Sequence, residues 1–163
     1  MAKVLLLGSD YVSHRTVQAM LQAGFKKQRL TALCVQPSER TKPSNPLPQF
    51  INYLQSEGIP MIPFENNWEA LTTQNQQEIG IVASFGHMVP DSFIDSFPKG
   101  MLVMHPSLLP KYRGACPLQH AILNRESETG VSVIQISKGK FDAGKVLLQS
   151  SYPLKTTTKF DQL

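Results

Sequence analysis

The feature that most constrains the fold is a regular alternation of short apolar runs with amphipathic segments. Strand-like runs occupy residues 3–9, 30–35, 60–64, 79–86, 101–104, 131–136 and 146–152. Helical periodicity occupies residues 12–23, 47–56, 91–97 and 117–125. Strands that alternate with helices are typical of a parallel sheet covered by helices on both faces, and the last two strands follow each other without a helix. The sequence therefore predicts an α/β fold: a doubly wound, mostly parallel, Rossmann-like sheet with a mixed edge.

Composition narrows the class of protein. The chain has 163 residues, of which 41% are hydrophobic and 17% charged, and this fits one globular domain rather than a disordered chain. No apolar run is long enough to span a membrane, so no membrane partner is expected. The formal net charge of +4 permits an anionic partner without requiring one, because acidic and basic residues are mixed along the chain.

The two cysteines, Cys34 and Cys116, are too few for a disulfide framework. We expect both to be buried, reduced thiols, which fits a reducing compartment. No spacing of cysteine and histidine suggests a metal site, so no metal is expected. No secretory signal is visible at the amino terminus, so the protein is cytosolic or a transit peptide lies outside this sequence.

Ligands of open α/β sheets bind at the carboxyl ends of the strands. This rule points to residues 8–10 (GSD), to residues 84–87 (SFGH) and to the segment that begins at His105. Residues 8–10 lack the further glycines of a dinucleotide-binding fingerprint, and the chain contains no Walker motif. Use of a nicotinamide cofactor or of a nucleoside triphosphate is therefore poorly supported.

The segment with the most chemical content is residues 105–114, HPSLLPKYRG. His105 directly follows an apolar strand, and two prolines stiffen the loop behind it, as a positioned catalytic group requires. Asp142 lies in a glycine-flanked turn before the last strand, and a carboxylate near a histidine stabilises the imidazolium and orients the ring. A capped histidine on a surface loop and an ordinary Asp-x-Gly turn are the alternative interpretations.

These motifs resemble those of the formyltransferase family that uses 10-formyltetrahydrofolate. Within that family, they are most similar to the amino-terminal catalytic domain of the members that act on methionyl-tRNA, and in particular to the mitochondrial type. The matching segments are residues 105–114, 115–119 (ACPLQ), 128–131 (ETGV), 134–136 (IQI), 142–144 (DAG), 4–10 (VLLLGSD) and 82–86 (VASFG). The resemblance covers nearly the whole chain and implies the formyltransferase fold. It also implies transfer of a formyl group from 10-formyltetrahydrofolate to the amino group of methionyl-tRNA.

The resemblance also implies roles for individual residues. His105 would stabilise the tetrahedral oxyanion and move a proton, and Asp142 would tune His105 and help to position a water molecule. The residues that would contact the folate co-substrate are Ser84, Phe85, Gly86, Ser107, Leu108, Leu109 and Pro110. The cations that would face the tRNA or the folate are Arg40, Lys42, Lys111 and Arg113. Arg40 and Lys42 lie in a proline-rich loop, residues 37–48, and two cations contribute little to phosphate binding.

The sequence departs from the family pattern at Val103, where the family carries the asparagine of an Asn-x-His motif. Valine cannot donate a hydrogen bond to an oxyanion, and loss of one such donor costs about 100- to 1000-fold in rate. His87, Gln119 and Ser107 are alternative donors. The resemblance further implies a catalytic domain, residues 1–163, without the family's last helix and its carboxyl-terminal tRNA-binding domain.

Three hypotheses follow for function. The first is formyl transfer to initiator methionyl-tRNA, in the initiation of translation. The second is a catalytically inactive relative with a structural or assembly role in a larger complex, which Val103 favours. The third is transfer to another small amine. The resemblance places the protein in the mitochondrial matrix, with the cytoplasm as the alternative.

Overall fold

The computed structural model describes residues 1–35, 47–155 and 157–160. Arg40, Lys42 and most of the predicted loop at residues 37–48 lie outside the described residues. Seven strands form one sheet in the order β3-β2-β1-β4-β5-β6-β7. This confirms the predicted α/β class, with most of the sheet parallel and an antiparallel edge. The chain divides into two compact units, Met1–Met101 and Leu102–Leu163.

Among its described residues, the first unit contains a parallel sheet and four α-helices. Its strands are β1 (Val4–Gly8), β2 (Leu30–Val35), β3 (Met61–Phe64) and β4 (Ile79–Ala83). Its helices are α1 (Tyr11–Gln22), α2 (Leu47–Glu57), α3 (Trp68–Gln74) and α4 (Asp91–Asp95). Strand β1 pairs in parallel with both β2 and β4, and among the described strands β3 pairs with β2 alone. Pro63 thus lies in an edge strand, where its missing N–H group breaks no ladder of hydrogen bonds.

Burial in the first unit follows from the central position of β1. All five residues of β1 are buried, because both faces of a central parallel strand are covered. The core around it combines strand and helix residues: Val4, Leu6, Val17, Leu30, Ala32, Cys34, Phe50, Leu54 and Ile59. Helix α1 starts at an N-cap, Asp10, whose side chain accepts the N–H groups of Val12 and Ser13.

The second unit contains the antiparallel edge of the sheet. Its elements are β5 (Met101–His105), which starts at the last residue of the first unit, α5 (Pro117–Leu123), β6 (Glu128–Gln135) and β7 (Val146–Pro153). Strand β6 pairs antiparallel with both β5 and β7, so the predicted mixed edge is confirmed. Strand β6 begins at Glu128, earlier than residue 131. Glu128 and Gly130 have low strand propensity, but pairing with β7 extends the strand over them.

Helix α5 ends in a tight hydrogen-bonded turn. Arg125 adopts the left-handed conformation with φ 51°, at a position where glycine is usual. Its N–H group donates to the carbonyl of Ile122, and the N–H group of Glu126 donates to the carbonyl of Ala121, both at 3.0 Å. This pair of bonds fixes the backbone of Asn124 and Glu126, which both contact the loop after β5.

The cysteine prediction is half right. Cys34 is buried in β2, and burial raises the pKa of its thiol to about 12. Cys116 is exposed, so the expectation that it is buried is wrong. It is the N-cap residue of α5, outside the helix, in a left-handed conformation with φ 56°. An apolar sequence neighbourhood did not predict burial here, because Pro117, rather than Cys116, enters the core.

The described residues contain neither a membrane-spanning helix nor a cluster of metal-binding side chains. Across residues 1–35, 47–155 and 157–160, no helix is long and apolar enough to cross a membrane. In the same part of the chain, no group of three or more histidine, cysteine, aspartate or glutamate side chains could hold a metal ion.

Candidate active site

The second unit brings His105 and Asp142 together, as the sequence predicted. His105 is the last residue of β5 and is 4% exposed. Its Nδ1 lies 3.4 Å from Oδ2 of Asp142. The same carboxylate oxygen accepts the N–H group of Gly114 at 3.1 Å. The loop after β5 therefore fixes the carboxylate that faces the histidine.

The other nitrogen of the His105 ring also faces an acceptor. Nε2 lies 2.9 Å from the main-chain carbonyl oxygen of Tyr112. A carbonyl oxygen can only accept, so Nε2 carries a proton in this contact. The two contacts fix the orientation of the His105 ring, with Nε2 on a carbonyl and Nδ1 toward a carboxylate.

A network of hydrogen bonds holds the loop at residues 106–114. The hydroxyl of Ser107 donates to the carbonyl of Lys111 at 2.7 Å. The hydroxyl of Ser132 donates to the carbonyl of Ser107 at 2.6 Å and accepts the N–H group of Leu109 at 3.0 Å. The side-chain amide of Gln149 donates to the carbonyl of Leu109 at 2.8 Å and to Ser132 Oγ at 2.9 Å. The stiffness predicted from the two prolines thus also depends on β6 and β7.

Ser132 and Gln149 are residues that the sequence reasoning missed. They face each other across the antiparallel pair of β6 and β7. Ser132 is fully buried between Val131 and Val133 of β6, and a polar residue at a core position of an alternating strand was the available signal. Gln149 carried no comparable signal, because its partners come from distant parts of the chain.

The remaining residues of the Ser-Leu-Leu-Pro segment are placed as follows. Leu108 packs over Gly130, where an added Cβ would overlap the main-chain oxygen of Ser150 and lie 2.6 Å from Leu108 Cδ2. This close approach is a physical reason for the glycine in the Glu-Thr-Gly motif. Leu109 is buried, Pro110 is exposed, and the peptide bond between them is cis. The hydroxyl of Ser107 is engaged within the loop, so it is not free to act as the oxyanion donor in this conformation.

The two cations of this loop differ in their surroundings. Lys111 Nζ lies 3.1 Å from a carboxylate oxygen of Glu126, and this hydrogen-bonded pair raises the pKa of the ammonium group. Arg113 is exposed, and within the described part of the chain no side chain pairs with its guanidinium. Of the two, Arg113 is the more accessible to an anionic ligand. Arg40 and Lys42 lie outside the described residues, so their predicted roles stay predictions.

The predicted folate residues of the first unit follow the end of β4. Ser84 is exposed, and its hydroxyl donates to the carboxylate of Asp10 while its carbonyl accepts from the hydroxyl of Ser9. The side chain of Phe85 is 2% exposed and packs against Phe64, with ring centroids 4.9 Å apart. Gly86 is exposed and has φ 77°.

His87 and Trp68 complete the aromatic cluster of the first unit. His87 is exposed at the edge of the cluster, 4.8 Å from the ring of Phe64, and Trp68 packs within it. The folate-contacting roles of Ser84, Phe85, Gly86 and residues 107–110 stay predictions.

The glycine of the Asp142-Ala143-Gly144 motif allows a close approach of two backbones. A Cβ added at Gly144 would overlap the carbonyl oxygen of Gln135, a main-chain atom that cannot swing away. We expect Gly144→Ala to lower the free energy of unfolding by about 2–3 kcal/mol, as overpacking against rigid atoms does. Urea denaturation measures the effect.

The matched control for this variant is Gly139→Ala. Nothing lies within 4 Å of the added Cβ at Gly139, so only its φ of 66° opposes the substitution, at about 1 kcal/mol. Equal stabilities of the two alanine variants would show that the turn relaxes freely around Gly144.

A buried histidine with a carboxylate partner, at the end of a strand in an α/β sheet, is able to transfer a proton. The model of the family described as "Formyl transferase" matches residues 34–163. The chain therefore belongs to the formyl transferase family.

Curated relatives and solved structures agree with this assignment. Mouse mitochondrial methionyl-tRNA formyltransferase is 33% identical over 96% of the chain, and the chain covers 40% of its length. The methionyl-tRNA formyltransferase of Pseudothermotoga lettingae is also 33% identical, over 99% of the chain and 52% of its own length. Glycinamide ribonucleotide transformylase 1 of Symbiobacterium toebii has the same fold, with a TM-score of 0.77 at 20% identity over 97% of this chain and 76% of that chain.

A further structural neighbour is an N-formyltransferase of Helicobacter canadensis, in complex with folinic acid and dTDP-3-aminofucose. It superimposes with a TM-score of 0.68 at 24% identity, over 94% of this chain and 54% of that chain. At this identity the likeness shows the fold alone. The chain spans about two fifths to one half of the length of the curated relatives it matches.

Proposed function

We propose that the protein transfers a formyl group from 10-formyltetrahydrofolate to the amino group of methionyl-tRNA. The observation that carries the proposal is the contact of the buried His105 with the carboxylate of Asp142, with Nε2 of the same ring on the carbonyl of Tyr112. The family supports formyl transfer, and the relatives named as methionyl-tRNA formyltransferases support this particular acceptor.

The proposed reaction is an acyl transfer through a tetrahedral intermediate. The methionyl amine attacks the formyl carbon, the new C–N bond forms, and the bond from that carbon to N10 of the folate then breaks. Nδ1 of His105 takes up the proton that the amine loses and, once protonated, donates a hydrogen bond to the oxyanion, while the carbonyl of Tyr112 holds Nε2. The same nitrogen then gives the proton to the N10 leaving group, and the carboxylate of Asp142 orients the ring.

One observation favours a second candidate function. Val103 and His105 are two residues apart in β5, so their side chains point to the same face of the strand. Val103 thus occupies the position of the family's asparagine beside the histidine and offers no donor. This supports a catalytically inactive relative with a structural or assembly role as the alternative.

We further propose that the whole protein acts in the mitochondrial matrix, as the names of several curated relatives suggest. The relatives are about twice as long as this chain or longer, so the rest of the protein, or a partner, is proposed to hold the tRNA.

The test is a formylation assay with purified protein, 10-formyltetrahydrofolate and methionyl-tRNA. Formation of formylmethionyl-tRNA in proportion to enzyme concentration is the expected result. Parallel reactions offer an amino sugar nucleotide and glycinamide ribonucleotide as acceptors. Formylation of one of these acceptors without tRNA would overturn methionyl-tRNA as the proposed acceptor. If the protein neither turns over nor binds folate, the proposed enzymatic function is overturned in favour of the catalytically inactive relative.

A further inference from the structure

We propose that Glu126 is a positioning residue for His105 and acts through Tyr112. The chain of contacts has two links. The carboxylate of Glu126 holds the hydroxyl of Tyr112, and the carbonyl of Tyr112 holds Nε2 of His105. This role rests on the proposed function of His105.

The first link is the short hydrogen bond between Tyr112 and Glu126, and a second hydrogen bond from Asn124 supports it. The hydroxyl of Tyr112 donates to Oε1 of Glu126 at 2.6 Å and accepts from the side-chain amide of Asn124 at 3.0 Å. Hydrogen bonds from Tyr112 and then from Lys111 lower the pKa of Glu126, so its carboxylate stays charged at neutral pH. A charged acceptor makes the bond to Tyr112 stronger than a neutral one would.

The partners of Tyr112 are rigid because of their place in the fold. Asn124 and Glu126 flank the left-handed Arg125 in the hydrogen-bonded end of α5. The ring of Tyr112 also stacks parallel to that of His120, with centroids 6.2 Å apart. The side chain of Tyr112 is thus held on its hydroxyl and on its face by residues of α5 and the turn that follows.

The second link depends on an unusual backbone. Tyr112 has φ 55°, a conformation that costs a non-glycine residue about 1–2 kcal/mol. Such a residue keeps its conformation only when its surroundings determine it. Because the side chain of Tyr112 is anchored, its carbonyl keeps its direction toward His105. Without the anchor, the backbone can relax and the ring loses the acceptor at Nε2.

Stability alone does not account for this cluster. Lys111 is 65% exposed in its side chain, and an ion pair so close to solvent contributes little to folding. The loop is already held at Ser107 and Leu109 by Ser132. The contacts of Glu126 and Asn124 additionally anchor Tyr112, the residue of this loop whose carbonyl oxygen contacts His105.

The experiment compares Tyr112→Phe, Glu126→Ala and Glu126→Gln in the full protein. We expect Tyr112→Phe and Glu126→Ala to lower kcat by about 10- to 100-fold, the range seen when supporting residues of a site are removed. The KM for 10-formyltetrahydrofolate should change less than about threefold, since the loss is one of orientation. Glu126→Gln keeps an oxygen acceptor for Tyr112 and should restore kcat to within about threefold of wild type.

The double variant Tyr112→Phe/Glu126→Ala tests the path of the effect. If Glu126 acts through the hydroxyl of Tyr112, the double variant loses no more than the worse single variant. Tyr152→Phe is the matched control, since it removes another tyrosine hydroxyl from the same unit, on a residue that is 52% exposed. Additive losses would overturn the proposal, as would a loss in the control equal to that in Tyr112→Phe.

A readout independent of turnover is the Nε2–H proton of His105, observed by NMR of 15N-labelled protein. Exchange of this proton with water is expected to be at least about tenfold faster in Tyr112→Phe than in wild type, at unchanged Tm. Equal exchange rates would overturn the proposal even if the wild-type protein proves to be an active enzyme. Faster exchange in a protein without formyltransferase activity would support the contact and overturn only the proposed function.

Discussion

His105→Ala is expected to lower kcat for formyl transfer by at least about 1000-fold, because it removes both a proton-transfer group and an oxyanion donor. The affinity for folate should stay within about threefold, since the substitution removes an interaction made in the transition state. A rapid-quench formylation assay measures kcat, and equilibrium dialysis with a folate analogue measures the affinity.

Three further variants are compared with His105→Ala to test the role of the histidine. Asp142→Asn keeps the size of the side chain but removes the charge that faces Nδ1, so a loss of about 100-fold or more in kcat is expected. His14→Ala is the matched control, because it removes a half-buried imidazole whose Nδ1 has no hydrogen-bond partner among the described residues. His105→Gln controls for packing at the buried position. Wild-type turnover in His105→Ala would exclude the proposed role of the histidine.

Val103→Asn is expected to raise kcat by about 100-fold or more if the oxyanion lacks a donor, which is the magnitude lost when one such donor is removed. The side chain at this position lies on the same face of β5 as His105, and Val103 is half-buried opposite Ile134 of β6. An asparagine there would place an amide donor on the face of β5 that carries His105, where it could donate to the oxyanion.

The control for this gain is Val103→Leu, which has nearly the shape of asparagine and no donor. Both variants are compared for kcat and for stability to urea, because a buried amide without a partner costs about 1–3 kcal/mol. A gain in the asparagine variant alone identifies the missing donor. No gain in a stably folded Val103→Asn protein would show that another group supplies the donor, or that the site is inactive for a different reason.

The order of the strands, the place of His105 at a strand end and that of Asp142 in a turn could be predicted from the sequence. Apolar runs such as Ile79–Ala83 and the glycines that follow the helices determine local structure through short-range physics, and these elements are confirmed. The contact between His105 and Asp142 was predicted only as a hypothesis, because 36 intervening residues separate them and spacing does not establish contact.

Other parts of the site were not predictable in this way. Lys111 was interpreted as a cation for substrate, but the fold pairs it with Glu126. The burial of Ser132, the partners of Gln149 and the exposure of Cys116 all depend on which segments lie side by side. Sequence periodicity shows which face of a strand is apolar, but not which distant chain covers it.

By itself, the sequence determined the α/β class of the protein, the stiff loop after His105 and, through its motifs, the family. These features depend on residue types at short spacing, which restrict backbone conformation locally. Only the tertiary structure decided that both nitrogens of His105 face acceptors and that Glu126 holds Tyr112. Those contacts join residues far apart in the chain, and they form only after the antiparallel strands and the end of α5 are in place.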